Sequence, residues 1–426
     1  MANTYLTRTP SSETNRKTFT WSGWVKRSSL GQNYFFSQGG ATGNNFAILF
    51  NGSDQFYFWD YHGSWDFEFK TNAKYRDTNG WYHFVVAIDT TQATQSDRVK
   101  AYINGEQITS WATANYPNQN DDTRVNDAVE VRLGRYVASE TSYFNGLISH
   151  VHFIDGTAYD ASAFGSTDST TGEWKINTSP SVTYGTNGFF ILKDGNSVTD
   201  QSGNSNNFTV GGGTLTNTED NPSNVFATLN PLIYESRSNT FSNGNLKITG
   251  GVAGDWTTHY GVSTLGMSSG KYYVEAKITT AVASQAMLGI IKTSQALSGS
   301  LRDIGTACID AGGRISGGGS DFQTGLTSFA SGDIAGASFD ATNGTIQFYR
   351  NGSAYGNAIS SIASDTYYFA TNSYDTGAVV EFNFGNGYFG TTAVSSAGTN
   401  ASGIGIFEYD VPSGGYTALS TKGLNL

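Results

Sequence analysis

Asp66 and Glu68 stand two residues apart in Trp65-Asp-Phe-Glu-Phe69. In an extended strand, residues i and i+2 share a face, which makes this pair the first candidate for acid–base chemistry. Retaining hydrolysis of a glycosidic bond needs two carboxyl groups about 5 Å apart across a cleft. Nothing in the sequence sets a cleft between these two, and a solvated strand face is the expectation. His150 and His152 repeat the spacing, which would suit a metal. Only Asp155 stands near as a further ligand, and Asp155-Gly156 reads as a turn. The Gly-rich run Ala311-Gly-Gly-Arg-Ile-Ser-Gly-Gly-Gly319 lacks the strand-to-helix setting of a phosphate cradle and reads as a hairpin loop. No nucleophile-elbow motif is present. Cys308 is the only cysteine, which excludes an intrachain disulfide and a zinc site built from several cysteines.

The residues better suited to meet a ligand are aromatic and fall in segments that read as loops. They are Trp59, Tyr61, His62 and Trp65 in the first half, and Trp256, His259 and Tyr260 in the second. A sugar ring stacks on an aromatic face without any chemistry. The competing explanation for each ring is burial in a core, the commoner fate of Trp and Tyr.

The elements that must carry these residues are strands. Charged residues make up 14% of the 426, well below the roughly 25% of an average soluble protein, while aromatics also reach 14% and glycines number 52. Such a chain solvates itself with Asn, Ser and Thr and favours an all-β protein with many turns. One module occurs twice: an apolar run ending in Asp, a polar loop, an alternating strand, Asn-Gly and a return strand. The copies are Phe84–Asp89 with Val99–Ile103, Asn104-Gly105 and Glu106–Ile108, and Gly336–Asp340 with Thr345–Arg350 and Asn351-Gly352. Both predict hairpins, because a type I′ turn needs positive φ at both central residues.

Phe19, Trp21 and Gly23 fall on one face of a strand and Thr20, Ser22 and Trp24 on the other, and 81–88 is apolar on nearly both faces, as in a central strand. Gly211-Gly-Gly213 and the polar stretch to Asn224 have linker chemistry. The expected organisation is an N-terminal arm over 1–17, a sandwich over 18–212, a linker over 213–231, a second sandwich over 232–390 and a C-terminal segment over 391–426. The arm or the C-terminal segment is expected to be ordered by another chain. A net charge of −11 without basic clusters excludes nucleic acid as a partner. No apolar stretch is long enough to insert in a membrane, and residues 1–10 lack the apolar core of a secretion signal.

The first half, through Phe19–Val25, Trp81-Tyr-His-Phe84, Tyr102-Ile-Asn-Gly105, Leu133-Gly-Arg135 and Phe144-Asn-Gly-Leu147 to Phe153, resembles the laminin-G-like members of the concanavalin-type lectin and glucanase superfamily. The second half, through Ser269–Ile278, Leu288-Gly-Ile-Ile291, Gly332–Gly336, Phe339-Asp340 to Asn351-Gly352 and Tyr367–Gly385, resembles a SPRY domain. Both resemblances imply concanavalin-like antiparallel sandwiches, or jelly rolls, in tandem. Glucanases of this fold use a Glu-x-Asp-x-x-Glu pattern, and the third carboxylate is missing here. Laminin-G-like domains often hold calcium in acidic loops, which makes Asp121, Asp122, Asn126 and Asp127 the candidate metal ligands. They supply roughly two to four hard oxygens where calcium takes about six to eight. No other cofactor is expected.

Phe153–Gly156, Ala163-Phe-Gly165, Tyr184–Phe190, Asp200–Asn204, Ala227–Leu232 and Ser242–Leu246 together resemble a group of tailed-phage virion proteins, notably from marine phages. This resemblance implies a non-enzymatic virion surface protein, an accessory tail fibre or a capsid decoration. Made in the host cytoplasm and exposed on the released particle, it would contact other virion proteins, further copies of itself and host surface glycans. The alternatives are a polysaccharide-degrading glycoside hydrolase of the same fold and a secreted bacterial adhesin.

Overall fold

The computed structural model describes residues 3–40, 43–193, 198–233, 238–251, 260–282, 286–373 and 376–425. The chain divides into two compact units, Met1–Asn217 and Thr218–Leu426.

The first unit opens with β1 Tyr5–Arg8, β2 Thr18–Arg27, β3 Asn33–Gly39, β4 Asn44–Phe50, β5 Gln55–His62 and β6 Trp65–Lys74. It continues with β7 Tyr82–Asp89, β8 Val99–Ile103, β9 Glu106–Gln107, β10 Trp111–Asn115 and β11 Val131–Leu133. Last come β12 Gly146–Asp155, β13 Gly165–Thr167, β14 Trp174–Ile176, β15 Phe189–Ile191 and β16 Thr209–Gly212. One antiparallel sheet runs β10-β6-β5-β4-β3-β11-β1-β16 and a second β15-β12-β2-β7-β8-β9. Their inward faces form an aromatic core. Phe19, Trp21 and Val25 of β2 are buried among Phe35, Phe36, Phe46, Phe56 and Phe84, and the Phe56 and Phe84 rings stack at 4.0 Å. Position 23, on the Trp21 face by the strand period, is glycine because a Cβ there would come within 2.7 Å of the indole.

The outward face of the six-stranded sheet is also apolar and is covered by the chain between β12 and β15. Trp24 stacks on His83 at 4.7 Å, while His152 stacks on Phe190 at 3.9 Å. His83 Nδ1 accepts the Trp174 indole N–H at 3.0 Å and Nε2 meets Ser22 Oγ at 2.9 Å, which defines a neutral imidazole protonated on Nε2. His152 Nδ1 meets Tyr184 Oη at 2.9 Å, and His150 Nδ1 meets Ser149 Oγ at 2.7 Å. His150 and His152 do share a side, since both touch Phe190, and each meets a hydroxyl, of Ser149 and Tyr184 respectively. Among the described residues no three His, Cys, Asp or Glu side chains are placed to hold a metal.

The second unit comprises β17 Thr240–Ser242, β18 Lys247–Thr249, β19 Tyr260–Val262, β20 Lys271–Thr280, β21 Ala286–Lys292 and a short helix α1 Leu301–Ile304. It goes on through β22 Ala307–Asp310, β23 Ile315–Gly317, β24 Ser320–Gln323, β25 Ile334–Asp340, β26 Thr345–Arg350 and β27 Ser353–Ile359. β28 Tyr367–Asn372, β29 Val379–Asn383, β30 Tyr388–Phe389, β31 Thr392–Ala393 and β32 Thr417–Ala418 complete it. One sheet runs β17-β18-β29-β20-β25-β26-β27, with β32 added in parallel to β20, and the other runs β19-β28-β21-β22-β23-β24. Both Asn-Gly hairpins form as expected, with φ of 46° and 86° at Asn104 and Gly105 and of 50° and 77° at Asn351 and Gly352.

Three segments differ from the sequence expectation. Residues 3–17 are not an arm apart from the sandwich, because β1 lies between β11 and β16 and buries Leu6. Gly211 and Gly212, for all their linker composition, form β16, where a Cβ on either would strike the Tyr5 ring within 2.9 Å. Residues 225–230 belong to the second unit, where Phe226, Ala227 and Leu229 are buried and Ala227 N–H donates to Leu419 O at 2.9 Å. The C-terminal segment likewise docks on its own unit, burying Phe407, Ala418 and Leu419.

Two expectations follow. Each unit encloses its own core, so residues 1–217 and 218–426 expressed separately should each give a soluble β-rich protein that unfolds cooperatively; disordered circular dichroism spectra from both would refute this. The second concerns acid. Burial, reinforced by His150, lowers His83 from 6.5 to about 3, and burial puts His152 well below its ordinary value. A base depressed in the fold stabilises it above the unfolded value and loses that contribution as the pH falls. Between pH 6.5 and 5 each should cost the first unit up to about 1.4 kcal/mol per pH unit. Asp60, buried in the same unit and raised to about 8, titrates with the opposite sign. The histidine contribution is therefore read as the difference between wild type and His152→Phe in urea unfolding, and equal pH slopes for the two would exclude it.

Candidate functional site

The outward face of the eight-stranded sheet carries a second aromatic layer. Period-2 alternation sends Phe56, Phe58 and Asp60 of β5 toward the core and Tyr57, Trp59 and Tyr61 away from it. Opposite them on β4 stand Leu49, Ala47 and Asn45, and on β6 stand Lys70 against Tyr57 and Glu68 against Trp59. Small Ala47 leaves room for Trp59, which packs with Tyr34, Tyr57 and Tyr136. Trp59 lies 4.6 Å from Tyr57 and 6.0 Å from Tyr34, and Tyr34 stacks on Tyr136 at 4.5 Å. Trp65 meets Trp59 and Tyr61 edge-on at 6.1 and 4.9 Å and is 49% exposed, whereas Trp59 is 6% exposed.

Polar groups border this layer. Asn45 Oδ1 accepts both the Trp59 indole N–H at 3.2 Å and the Tyr136 hydroxyl at 2.9 Å. Glu68 accepts the Tyr57 hydroxyl at 2.7 Å, sits 3.1 Å from Lys70 Nζ and receives Asn115 Nδ2 at 3.4 Å. Lys70 lies over the Tyr57 ring at 4.8 Å. Burial raises the Tyr34 and Tyr57 phenols, Tyr57 further through Glu68, so both remain hydrogen-bond donors. The result is a surface of ring faces and edges with fixed donors and acceptors.

Asp66 does not join Glu68. The β5–β6 register shifts between Asp60 and Tyr61, where Phe67 and Trp65 are the successive partners and Asp66 is the extra residue of a bulge. Burial raises Asp66, with His62 and Arg124 opposing and Asp121 adding to the shift. Its Oδ2 and Arg124 Nε are buried without hydrogen-bond partners. Asp60 is fully buried, accepts the Arg124 backbone N–H on both oxygens at 3.1 Å and is pushed up to about 8 by burial. The expectation of one solvated carboxylate face is therefore corrected. Glu68 is bonded into the aromatic layer, and Asp66 is turned toward a separate charged cluster.

The loop assignment of Trp59, Tyr61, His62 and Trp65 is also corrected, since all four lie on the β5–β6 hairpin, closed by Gly63 at φ 69°. Trp59 is mostly buried, Tyr61 is half-buried, and His62 and Trp65 are exposed. Tyr260 is 2% exposed and packs with Val262, Ile291 and Leu301 on β19, so it is a core residue. Trp256 and His259 lie outside the described residues. The calcium candidates do not converge. Asp121 caps Asn118 N–H at 2.8 Å, Asp122 lies 3.9 Å from Lys17 Nζ, and Asp127 accepts Ala128 N–H at 2.8 Å. Asn126 is buried and turns its amide N–H to Asn15 O and Asp155 Oδ1. Sequence reading missed Tyr34, Asn45, Tyr57, Lys70 and Tyr136, although the strict alternation of 56–61 carried the signal for Tyr57.

Residues 2–162 match the Concanavalin A-like lectin/glucanases superfamily and residues 271–387 match the SPRY domain. No curated protein sequence matches the chain. Among solved structures, the SPRY domain of human HERC1 is 20% identical with a TM-score of 0.29, covering 34% of this chain and 92% of that one. The TRIM65 PSpry domain is 14% identical with a TM-score of 0.31, covering 37% and 88%. A Bacteroides ovatus protein described as a carbohydrate-binding candidate is 16% identical with a TM-score of 0.30, covering 50% and 57%. The chain thus carries an N-terminal concanavalin-like domain of the laminin-G type followed by a SPRY domain.

Proposed function

We propose that this protein is a non-enzymatic glycan-binding protein of a tailed-phage virion surface and that it binds through the outward face of the eight-stranded sheet in its N-terminal domain. The observation that carries the binding role is the ring layer of half-buried Tyr57 and Tyr61 and exposed Trp65 over buried Trp59, bordered by Glu68, Lys70 and Asn45. Sugars present apolar ring faces and hydroxyl edges, and this surface offers a partner to each. Separation of Asp66 from Glu68 supports binding without hydrolysis, because the facing pair that retaining cleavage requires is not assembled. The ordered motifs from Phe153 to Leu246 support the virion assignment. Other virion proteins and further copies of the chain are its proposed partners, on a tail fibre or as a capsid decoration.

On a glycan array, or with host cells, Trp65→Ala should weaken binding about tenfold, a loss of roughly 1.4 kcal/mol of ring contact. Asp66→Asn should bind like wild type, and no reducing sugar should be released. Undiminished binding by Trp65→Ala excludes this face, and sugar release that depends on Glu68 favours a hydrolase. Mass spectrometry of purified phage particles tests the virion assignment, which fails if the chain is found only in cellular fractions.

A further inference from the structure

The outward face of the second unit's larger sheet is filled by the chain's own residues 404–411, and the manner of filling is that of a bound peptide. Glu275 of β20, fully buried, accepts two consecutive backbone N–H groups, Glu408 at 2.8 Å on Oε2 and Tyr409 at 2.9 Å on Oε1. Asn383 of β29, also fully buried, donates to Ile406 O at 2.9 Å, and Ile406 N–H donates to Gly385 O at 2.9 Å. Polar side chains of the sheet are spent on the main chain of the segment, so they read an extended backbone.

Alternate side chains of the segment supply the rest. Phe407 is 1% exposed in a pocket with Phe226, Tyr273 and Ala418, its ring 5.0 Å from Tyr273. Gly405 allows contact with Gly385, whose Cα would lie 2.9 Å from a Cβ at 405. Tyr409 rests against Gly352 of the Asn-Gly turn, where a Cβ would come within 2.6 Å of its ring. The pattern recognised is Gly-x-Phe-x-Tyr. Residues 398–400 fold back on the segment, with Gly398 N–H donating to Phe407 O at 2.9 Å, Val411 N–H to Thr399 O at 2.8 Å and Asn400 Nδ2 to Ile404 O at 2.7 Å. The docked unit is therefore a hairpin, and Pro412 to Gly415, which joins it to β32, has linker composition.

We propose that this face is a peptide-recognition groove that holds the chain's own C-terminal arm as an exchangeable ligand and accepts the same arm from a second copy of the protein. The occupant is fixed by the hairpin already seated there, and exchange between copies moves that hairpin as a unit on the Pro412–Gly415 tether. Burial lifts the Glu275 carboxyl to about 7 despite the hydrogen bonds from Glu408, Tyr409, Tyr273 and Asn383. Tyr273, Tyr349, Glu408, Tyr409 and Asp333 are the other titratable groups of this neighbourhood.

The test uses the full-length chain and a fluorescein-labelled peptide of residues 403–411, read by anisotropy. Phe407→Ala loosens the arm in cis and should raise peptide affinity at least about tenfold over wild type. Adding Glu275→Gln, which turns an amide N–H₂ toward the incoming N–H donors, should remove about tenfold of that gain. Equal affinity for wild type and Phe407→Ala, or binding indifferent to Glu275→Gln, overturns the proposal. Gly405→Val is the second displacing variant. If neither displacing variant folds, the arm is core rather than ligand and the proposal fails.

Discussion

A strand with apolar residues on both faces must be covered twice, and this constraint shapes both domains. β2 sends Phe19 and Trp21 inward and Trp24 outward, and β7 does the same with Phe84 and Val85. One covering is the opposite sheet. The other has to come from elsewhere in the chain, since charged residues are too few to solvate the second face. Residues 156–188 meet that need in the first domain, where Phe164, Trp174 and Tyr184 lie on Val85 and Ile154. In the second domain the arm with Phe407 and Val411 does so on Tyr273. On the outward face of β5 and β6 the rings of Tyr61 and Trp65 stay accessible.

Each covering also buries polar groups, and the chemistry differs with the kind of group. His83 can stay neutral, because Nδ1 finds the Trp174 indole and Nε2 finds Ser22. Glu275 has only acceptors to offer when ionised and is met by donors alone. Asp60 has a single backbone N–H for two oxygens and is driven toward its neutral form. The shifts are consequences of covering a sheet. They need no catalytic explanation, although perturbed carboxyls in a fold shared with glucanases invite one.

What the sequence made legible was local. Asn104-Gly105 and Asn351-Gly352 could be read because the turn demands positive φ at both positions, and the faces of β2 followed from its alternation. What it hid depended on partners far along the chain. Gly211-Gly-Gly213 has the composition of a linker, yet two of its glycines are strand because the Tyr5 ring lies against them. Likewise Asp66 and Glu68 obey the two-residue rule until a bulge breaks it. The site was half legible for the same reason. Trp59, Tyr61 and Trp65 stood out as rings, whereas Tyr34 and Tyr136 join them only through strand pairing and a loop that returns to β3.

The open aromatic face is therefore best understood by comparison with the covered ones. Its rings are arranged like a core layer, with Trp59 nearly buried beneath its neighbours and its indole N–H paired to Asn45. Apolar ring surface left in water is unfavourable, so a domain that leaves rings exposed is stabilised by a partner there. A partner with only apolar groups would strand Glu68, Lys70 and Tyr57, whose hydrogen bonds lie among the rings. Neither water nor a purely apolar surface satisfies both demands. The proposed glycan, with a flat apolar face and a hydroxylated edge, meets both, and its affinity would come from ring area and its orientation from the polar border.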